Sequence, residues 1–168
     1  MATRALVAPA DYLRTTFGES DCEYFHGEVV ERAMPTYLHS RLQALLAHLF
    51  FRLAETHRLF PATELRLQIE AGSIYRIPDV CLFADIEPSG AVAQIVPLVA
   101  VEISSPDDRL SETLKKLEEY RTLGVRHLWL IDGEEKQLFL YDADGLHRTE
   151  ALELTQFNFR IGLEDLGL

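Results

Sequence analysis

An apolar segment, a helical segment and a second apolar segment follow one another in the C-terminal half of the chain, and they constrain its fold most. Residues 97–104 are almost continuously apolar up to Glu102, as expected of a strand buried on both faces. Residues 125–131 form a second such strand, after a helix with leucines at helical spacing that ends at Gly124. A connection of this length predicts a right-handed crossover between parallel strands, and therefore an α/β domain.

The preceding segment predicts the rest of a core. Leucines recur at spacings of three and four over residues 36–56, without glycine or proline, which predicts a long amphipathic helix. Residues 62–70 alternate between apolar and polar side chains and residues 75–84 are apolar around Asp79, so each is predicted to be a strand, and turn-forming residues separate them. Residues 104–108 contain serines that can cap a helix, a proline and two aspartates, and all of these are common at helix starts. They predict the start of the crossover helix. The predicted order is helix, three strands, helix, strand, over about residues 36–132.

A short helix and a hairpin are predicted ahead of this core. The helix covers residues 8–16 and ends before Gly18, and the hairpin covers about residues 20–35 with a tight turn at His26-Gly27. No repeat, low-complexity stretch or linker interrupts the chain, so residues 1–168 are interpreted as a single domain. The expected fold class is α/β (α+β), with a central mixed β-sheet flanked by helices.

Composition narrows the functional classes. The chain has 168 residues, 48% of them hydrophobic, and a net charge of −11, which argues against a broad basic surface that coats DNA but does not exclude a local basic groove. No apolar run approaches the ~20 residues of a membrane span, and the N-terminus lacks the apolar region of a secretory signal, so we expect a cytoplasmic protein that does not contact membranes. Cys22 and Cys81 have no zinc-site spacing, a disulfide is not expected, and Cys81 is interpreted as a core residue.

Two acids inside apolar strand segments are the first candidates for chemistry. Asp79 and Glu102 each interrupt such a segment, and a buried carboxylate requires a partner, which can be a metal ion, a lysine or backbone N–H groups. Two carboxylates on neighbouring strands form a hard oxygen site, which suits Mg²⁺ or Mn²⁺ better than zinc. Taken singly, Glu102 is equally well explained as a strand-end acid that reaches solvent or pairs with an arginine, and Asp79 as an edge acid or a turn residue.

Further polar residues are placed near these acids by periodicity. Ser104 shares a strand face with Glu102, and Lys115 and Lys116 flank the predicted core side of the crossover helix, so that periodicity alone does not choose between them. His39 lies one turn before Gln43 and could orient water or a phosphate, although a histidine at a helix start is more often a surface or packing residue. The predicted core side of the crossover helix carries Leu110, Leu114, Leu117 and Tyr120.

Several short runs follow one another in a specific order and spacing. They are EYFHGEVV at 23–30, Met34-Pro35, His39, RIPDV at 76–80, VEISSP at 101–106, KLEEY at 116–120, Gly124-Val125 and LWLID at 128–132. Together they resemble the Uma-type endonuclease family, a branch of the PD-(D/E)XK restriction-endonuclease-like superfamily, and the similarity spans about residues 10–142.

This resemblance implies a restriction-endonuclease-like core and a site for Mg²⁺ (or Mn²⁺) formed by Asp79, Glu102 and the backbone carbonyl of Ile103. The superfamily lysine normally follows the glutamate by two positions, where this chain has Ser104. The family pattern instead implies Lys116 on the following helix. Tyr120 lies one turn beyond it, and Glu28, His39 and Gln43 match further positions that would complete the site.

The implied activity is metal-assisted hydrolysis of phosphodiester bonds in DNA. One alternative is a binding or regulatory module that keeps the nuclease fold without cleaving, which Ser104 and the net charge of −11 favour. Another is an unrelated interaction domain in which both acids are incidental. A homodimer is a further hypothesis, because many such nucleases must reach two strands.

Overall fold

The computed structural model describes residues 6–15, 21–106 and 108–168, and it contains helices on both faces of a mixed sheet. The helices are α1 (Pro9–Arg14), α2 (Tyr37–Ala54) and α3 (Leu110–Leu123). The strands are β1 (Cys22–Phe25), β2 (Glu28–Glu31), β3 (Leu59–Thr63), β4 (Leu67–Glu70), β5 (Ile74–Arg76), β6 (Val80–Ala84), β7 (Val99–Ser104), β8 (His127–Asp132), β9 (Gln137–Asp142), β10 (Gly145–Thr149), β11 (Ala151–Leu154) and β12 (Phe159–Gly162).

The main sheet has the strand order β10-β9-β8-β7-β6-β3. Strands β7 and β8 pair in parallel, with Val101 opposite Trp129, and α3 connects them, which confirms the predicted parallel pair. The remaining neighbours in this sheet are antiparallel. Helix α2 and the β11–β12 hairpin contribute to the core on one face, and α3 and β4 contribute to the core on the other. Both faces of the central strands are therefore buried, as their apolar sequences predicted.

A smaller sheet, with the order β2-β1-β5-β4, contains the predicted N-terminal hairpin. His26 and Gly27 both have positive φ, 47° and 95°, as a two-residue primed turn requires. Helix α1 contributes Tyr12, which is fully buried and stacks on Tyr24 at 4.9 Å between ring centroids. The hairpin is therefore packed into the protein by an aromatic cluster.

The strands predicted over residues 62–70 and 75–84 are wrong as single elements, because each divides between the two sheets. The first divides between β3 and β4, and the second between β5 and β6. Glu64 has a φ of 52°, and its N–H donates to the Asp79 carbonyl at 3.3 Å, so the two breaks lie side by side. Pro78 lies in the second break and has no N–H to donate to a ladder. Asp79 consequently lies between the sheets and not inside a strand.

The start predicted for the crossover helix is also wrong. Asp108 accepts a hydrogen bond from the Ser105 N–H at 2.7 Å, which closes a turn, and α3 begins only at Leu110. Leu110 was predicted on the core side but is 57% exposed, whereas Leu117 is fully buried. The predicted end is confirmed, since Gly124 has a left-handed φ of 104°.

The other predicted elements differ from the structure mainly at their ends. The long helix is α2, and the strand predicted from residue 97 begins at Val99. The N-terminal helix is α1, and its predicted end at Thr16–Gly18 lies outside the described residues.

Cys22 and Cys81 are buried thiols that form no disulfide with each other, and Cys81 lies in the core as predicted. Among the described residues, no helix is both long and apolar enough to cross a membrane.

The two leucines of α3 allow a matched test of this packing. Leu117→Ala should lower the free energy of unfolding by about 2–5 kcal/mol, because it leaves a cavity against β7 and β8. Leu110→Ala removes the same atoms from an exposed position and should change it by no more than about 0.5 kcal/mol. Equilibrium urea unfolding of both variants measures the difference. Equal losses would contradict the exposed position of Leu110.

Candidate functional site

A cavity of about 330 Å³ opens where the two sheets and the starts of α2 and α3 meet. Among the described residues that line it, carboxylates outnumber arginine and lysine by eight to three, so the interior attracts cations. The carboxylates are Asp21, Glu23, Glu31, Glu64, Asp79, Glu102, Asp108 and Glu112; the cations are Arg32, Arg76 and Lys116, and His39 lines the same space.

Asp79 is the most enclosed acid of the cavity, with 1% of its surface exposed. Its Oδ1 forms an ion pair with the Arg32 guanidinium, and its Oδ2 accepts the Ile103 N–H at 2.7 Å and lies 3.3 Å from His39 Nε2. Gln43 donates to the Asp79 backbone carbonyl at 3.0 Å. Burial disfavours the charged form of Asp79, but the His39 hydrogen bond and the Arg32 charge lower its pKa below the ordinary value. The carboxylate is therefore ionised at neutral pH.

Glu102 lies within β7, and it is held differently. Its Oε1 accepts a hydrogen bond from the Tyr120 hydroxyl at 2.8 Å, and its Oε2 lies 3.6 Å from Lys116 Nζ. Burial raises the pKa of Glu102 to about 7, because the opposing effect of Lys116 is partly cancelled by the negative charges of Asp79 and Glu23. Near neutral pH Glu102 is thus only partly ionised, and an added cation would stabilise its charged form.

Lys116 is the lysine that reaches the cavity. Its Nζ lies 2.9 Å from Glu23 Oε1, in addition to its contact with Glu102. Burial disfavours its charge, but Glu102 and Glu23 raise its pKa above the ordinary value, so it remains an ammonium group. The Nζ of Lys115 instead lies over the Phe25 ring, 3.6 Å from the centroid. The structure therefore distinguishes two lysines that periodicity alone left equivalent.

A buried ion network that sequence reasoning missed supports Lys116. Glu23, which is 2% exposed, accepts hydrogen bonds from Arg76 at 2.9 Å and from the Ile77 N–H at 3.1 Å. Arg76 also binds Glu119 through two hydrogen bonds, of 2.6 and 3.0 Å. Glu23 had a detectable signal, because it lies between Cys22 and Tyr24 in a strand, where a charged residue is unusual.

Sequence reasoning also missed Arg32, and no pattern in the surrounding sequence marks it as a site residue. It follows β2, outside any periodic segment, and its contact with Asp79 joins residues 47 positions apart. Two accessory predictions are not brought to the cavity. Glu28 is exposed at the start of β2, and the Ser104 hydroxyl donates to the Ile131 carbonyl at 3.4 Å and lines a separate groove beside Phe139. The structure does bring His39, Gln43 and Tyr120 into contact with the two acids.

The donor groups are chemically suited to a hard divalent cation. Carboxylate oxygens of Asp79 and Glu102 face one enclosed space with an excess of negative charge. Within the parts of the chain that the structure describes, no three His, Cys, Asp or Glu side chains come together at metal-ligand separations. The two acids are instead engaged by Arg32 and Lys116, so a bound cation would have to replace a protein cation.

Comparison with a solved structure shows that another protein shares this fold. A crystal structure described as "a putative nuclease belonging to DUF820", from Anabaena variabilis ATCC 29413, aligns with a TM-score of 0.83 and 21% sequence identity, over 95% of this chain and 97% of that one. The family model Uma2, described as "Putative restriction endonuclease", matches residues 9–164. The chain therefore belongs to the Uma2 family, which confirms the resemblance seen in its sequence motifs.

Other comparisons add little to this assignment. A DrdV–DNA complex solved by cryo-electron microscopy aligns at a TM-score of 0.40 and 17% identity, over 77% of this chain and 12% of that chain, which is too weak to carry an argument. No curated protein matches the chain.

The pKa of Glu102 generates a prediction for the metal-free protein. Folding raises this pKa from 4.5 to about 7, so the folded state binds the proton more tightly and loses stability as pH rises through this interval. Glu102→Gln keeps the Tyr120 hydrogen bond but cannot ionise. Relative to that of the wild type, the free energy of unfolding of Glu102→Gln should therefore rise by on the order of 3 kcal/mol between pH 4.5 and pH 8.

Urea unfolding in the presence of a chelator measures this gain at both pH values. Glu87→Gln, at an exposed loop position, is the matched control for the loss of one negative charge. A constant difference between Glu102→Gln and the wild type across this range would contradict the raised pKa.

Proposed function

We propose that this protein is a metal-dependent endonuclease that hydrolyses phosphodiester bonds of DNA. The observation that carries the proposal is the convergence of Asp79, Glu102 and Lys116 on one cavity in a member of a restriction-endonuclease family. Two carboxylates and an ammonium group supply the charges that phosphodiester hydrolysis requires, namely ligands for a cation and a positive charge near the phosphate.

Asp79, Glu102 and the Ile103 carbonyl would hold Mg²⁺ or Mn²⁺. The pairing of β7 with β6 ends at Val101. The backbone of Ile103 therefore lies beyond the β6–β7 ladder, and Ile103 lines the cavity. Its N–H already donates to Asp79, and the carbonyl of a strand residue points to the same side as its N–H. A bound metal ion would polarise the scissile phosphate and lower the pKa of a water molecule.

The surrounding residues would keep each of these groups in its working state. Tyr120 orients Glu102, and because burial raises the Tyr120 pKa well above its ordinary value, its hydroxyl remains a donor. Gln43 fixes the Asp79 backbone, and His39 keeps the Asp79 carboxylate ionised. The ammonium group of Lys116 would stabilise negative charge that develops on the phosphate or position the attacking water.

DNA is proposed as the substrate from the family assignment. The net charge of −11 opposes general attraction to DNA phosphates, so binding would depend on the local site. The homodimer remains a prediction, which sedimentation of the purified protein would test.

A non-cleaving module is the second candidate, and two observations favour it. The superfamily lysine position carries Ser104, which lies outside the cavity, and the Arg32 guanidinium is paired with Asp79. This candidate predicts binding of metal or DNA without turnover, so cleavage assays distinguish it from the nuclease.

Cleavage of plasmid and single-stranded DNA with Mg²⁺ or Mn²⁺ is the experiment that tests the proposal. Glu102→Gln should lower the cleavage rate by about a hundredfold or more, because it removes a charged metal ligand, and Lys116→Ala should do the same by removing the cation near the phosphate. Lys115→Ala is the matched control, since that lysine contacts Phe25 outside the cavity, and it should keep nearly full activity.

The pattern of loss decides between the candidates. Cleavage that survives in Glu102→Gln would contradict this site and indicate a contaminating nuclease. A wild-type protein that binds Mn²⁺ but cleaves neither DNA form would support the non-cleaving module. Activity lost equally in Lys115→Ala and Lys116→Ala would contradict the distinct positions of the two lysines.

A further inference from the structure

We propose that Arg32 is a displaceable counter-ion of the metal position: its guanidinium neutralises Asp79 in the metal-free protein and must move away before a divalent cation binds. This inference rests on the proposed metal-dependent function. It assigns a role to a residue that neither the sequence motifs nor the mechanism above uses.

Both oxygens of the Asp79 carboxylate already contact protein groups. Oδ2 is already engaged by the Ile103 N–H and lies within reach of His39. Oδ1 is engaged by Arg32, whose side chain is only 15% exposed. A cation that binds through Oδ1 therefore competes with the guanidinium for the same oxygen, and repulsion between the two positive charges opposes their binding it together.

A second acid gives the guanidinium an alternative partner. Nη1 of Arg32 lies 3.7 Å from Oε1 of Glu64, whose side chain is 42% exposed and lines the same cavity. Arg32 thus spans the distance between the most buried acid of the site and a partly exposed one. A shift towards Glu64 would release Asp79 while the guanidinium keeps an ionic partner.

The backbone of Arg32 is fixed, so this shift requires only side-chain rotation. Its N–H donates to the Asp21 carbonyl at 3.0 Å, which continues the ladder of the β1–β2 hairpin by one residue. Rotation of an arginine about its side-chain bonds is fast and leaves the hairpin intact.

The energetic consequence is a weakened metal site. The affinity for a divalent cation is reduced by the free energy needed to break the Arg32–Asp79 pair and by repulsion between two cations in a poorly solvated cavity. Without Arg32, Asp79 would lack its permanent positive partner, and a metal ion would be the remaining strong one.

Titration of chelator-treated, metal-free protein with Mn²⁺ tests this inference, with free Mn²⁺ measured by electron paramagnetic resonance. Arg32→Gln should bind Mn²⁺ about tenfold or more tightly than the wild type, and Mn²⁺ should raise its Tm by more. Arg32→Lys keeps the charge but not the planar guanidinium, and should give an intermediate affinity. Arg14→Gln is the matched control, because Arg14 is exposed and its ion pair with Asp11 lies within one helical turn; it should bind like the wild type.

The double variant Arg32→Gln/Asp79→Asn, compared with Asp79→Asn alone, locates the effect, since loss of Arg32 should no longer raise the affinity once the Oδ1 charge is removed. Equal Mn²⁺ affinity in the wild type and Arg32→Gln would overturn the role of Arg32 but leave the proposed metal site standing. Equal affinity in the wild type and Arg32→Lys, with a gain in Arg32→Gln, would overturn displacement in favour of charge repulsion alone. Absence of Mn²⁺ binding in both the wild type and Arg32→Gln would overturn the metal site and the inference together.

Discussion

The buried ion pairs between the two sheets are the interactions on which the site depends. Removing a charged group from water costs several kcal/mol, and a buried carboxylate persists only where charges and hydrogen bonds replace the lost solvent. Asp79 receives these from Arg32, His39 and the Ile103 backbone, which come from three different parts of the fold. The site is thus a product of tertiary structure, although its two acids lie in short sequence motifs.

The same ion pairs set stability and metal binding against each other. The cavity lining has more carboxylates than cations among the described residues, and burial together with the negative charges of Asp79 and Glu23 raises the pKa of Glu102. A protein cation beside Asp79 offsets part of this negative charge and stabilises the metal-free fold. It also occupies the carboxylate that would bind the metal ion. If the proposed metal site is correct, a residue such as Arg32 would therefore stabilise the metal-free protein at the expense of its affinity for the metal ion.

Sequence patterns predicted the elements whose formation depends on local periodicity. Helix α2 and the parallel β7–β8 pair follow from apolar spacing, and Asp79 and Glu102 were detectable because acids are unusual in apolar segments. The division of two predicted strands between sheets was missed, because alternation continues across the break in residues 62–70 and the apolar run continues across the break in residues 75–84. Arg32 was missed for a different reason: its partner is distant in sequence, and no periodic signal marks contacts of that kind.

The position of Lys116 shows why the N-terminal hairpin belongs to the site. The sequence motifs resemble a superfamily pattern in which a lysine would extend from the position of Ser104 on β7, whereas in this structure Lys116 on α3 places its ammonium group 3.6 Å from Glu102. A lysine on a helix has a long and flexible side chain, and without a partner it would extend into solvent. Glu23 on β1 supplies that partner at 2.9 Å, and Arg76 and the Ile77 N–H fix Glu23 in turn. The placement of a lysine on α3 thus depends on a strand of the smaller sheet. The hairpin therefore positions Lys116 in addition to packing against the rest of the protein.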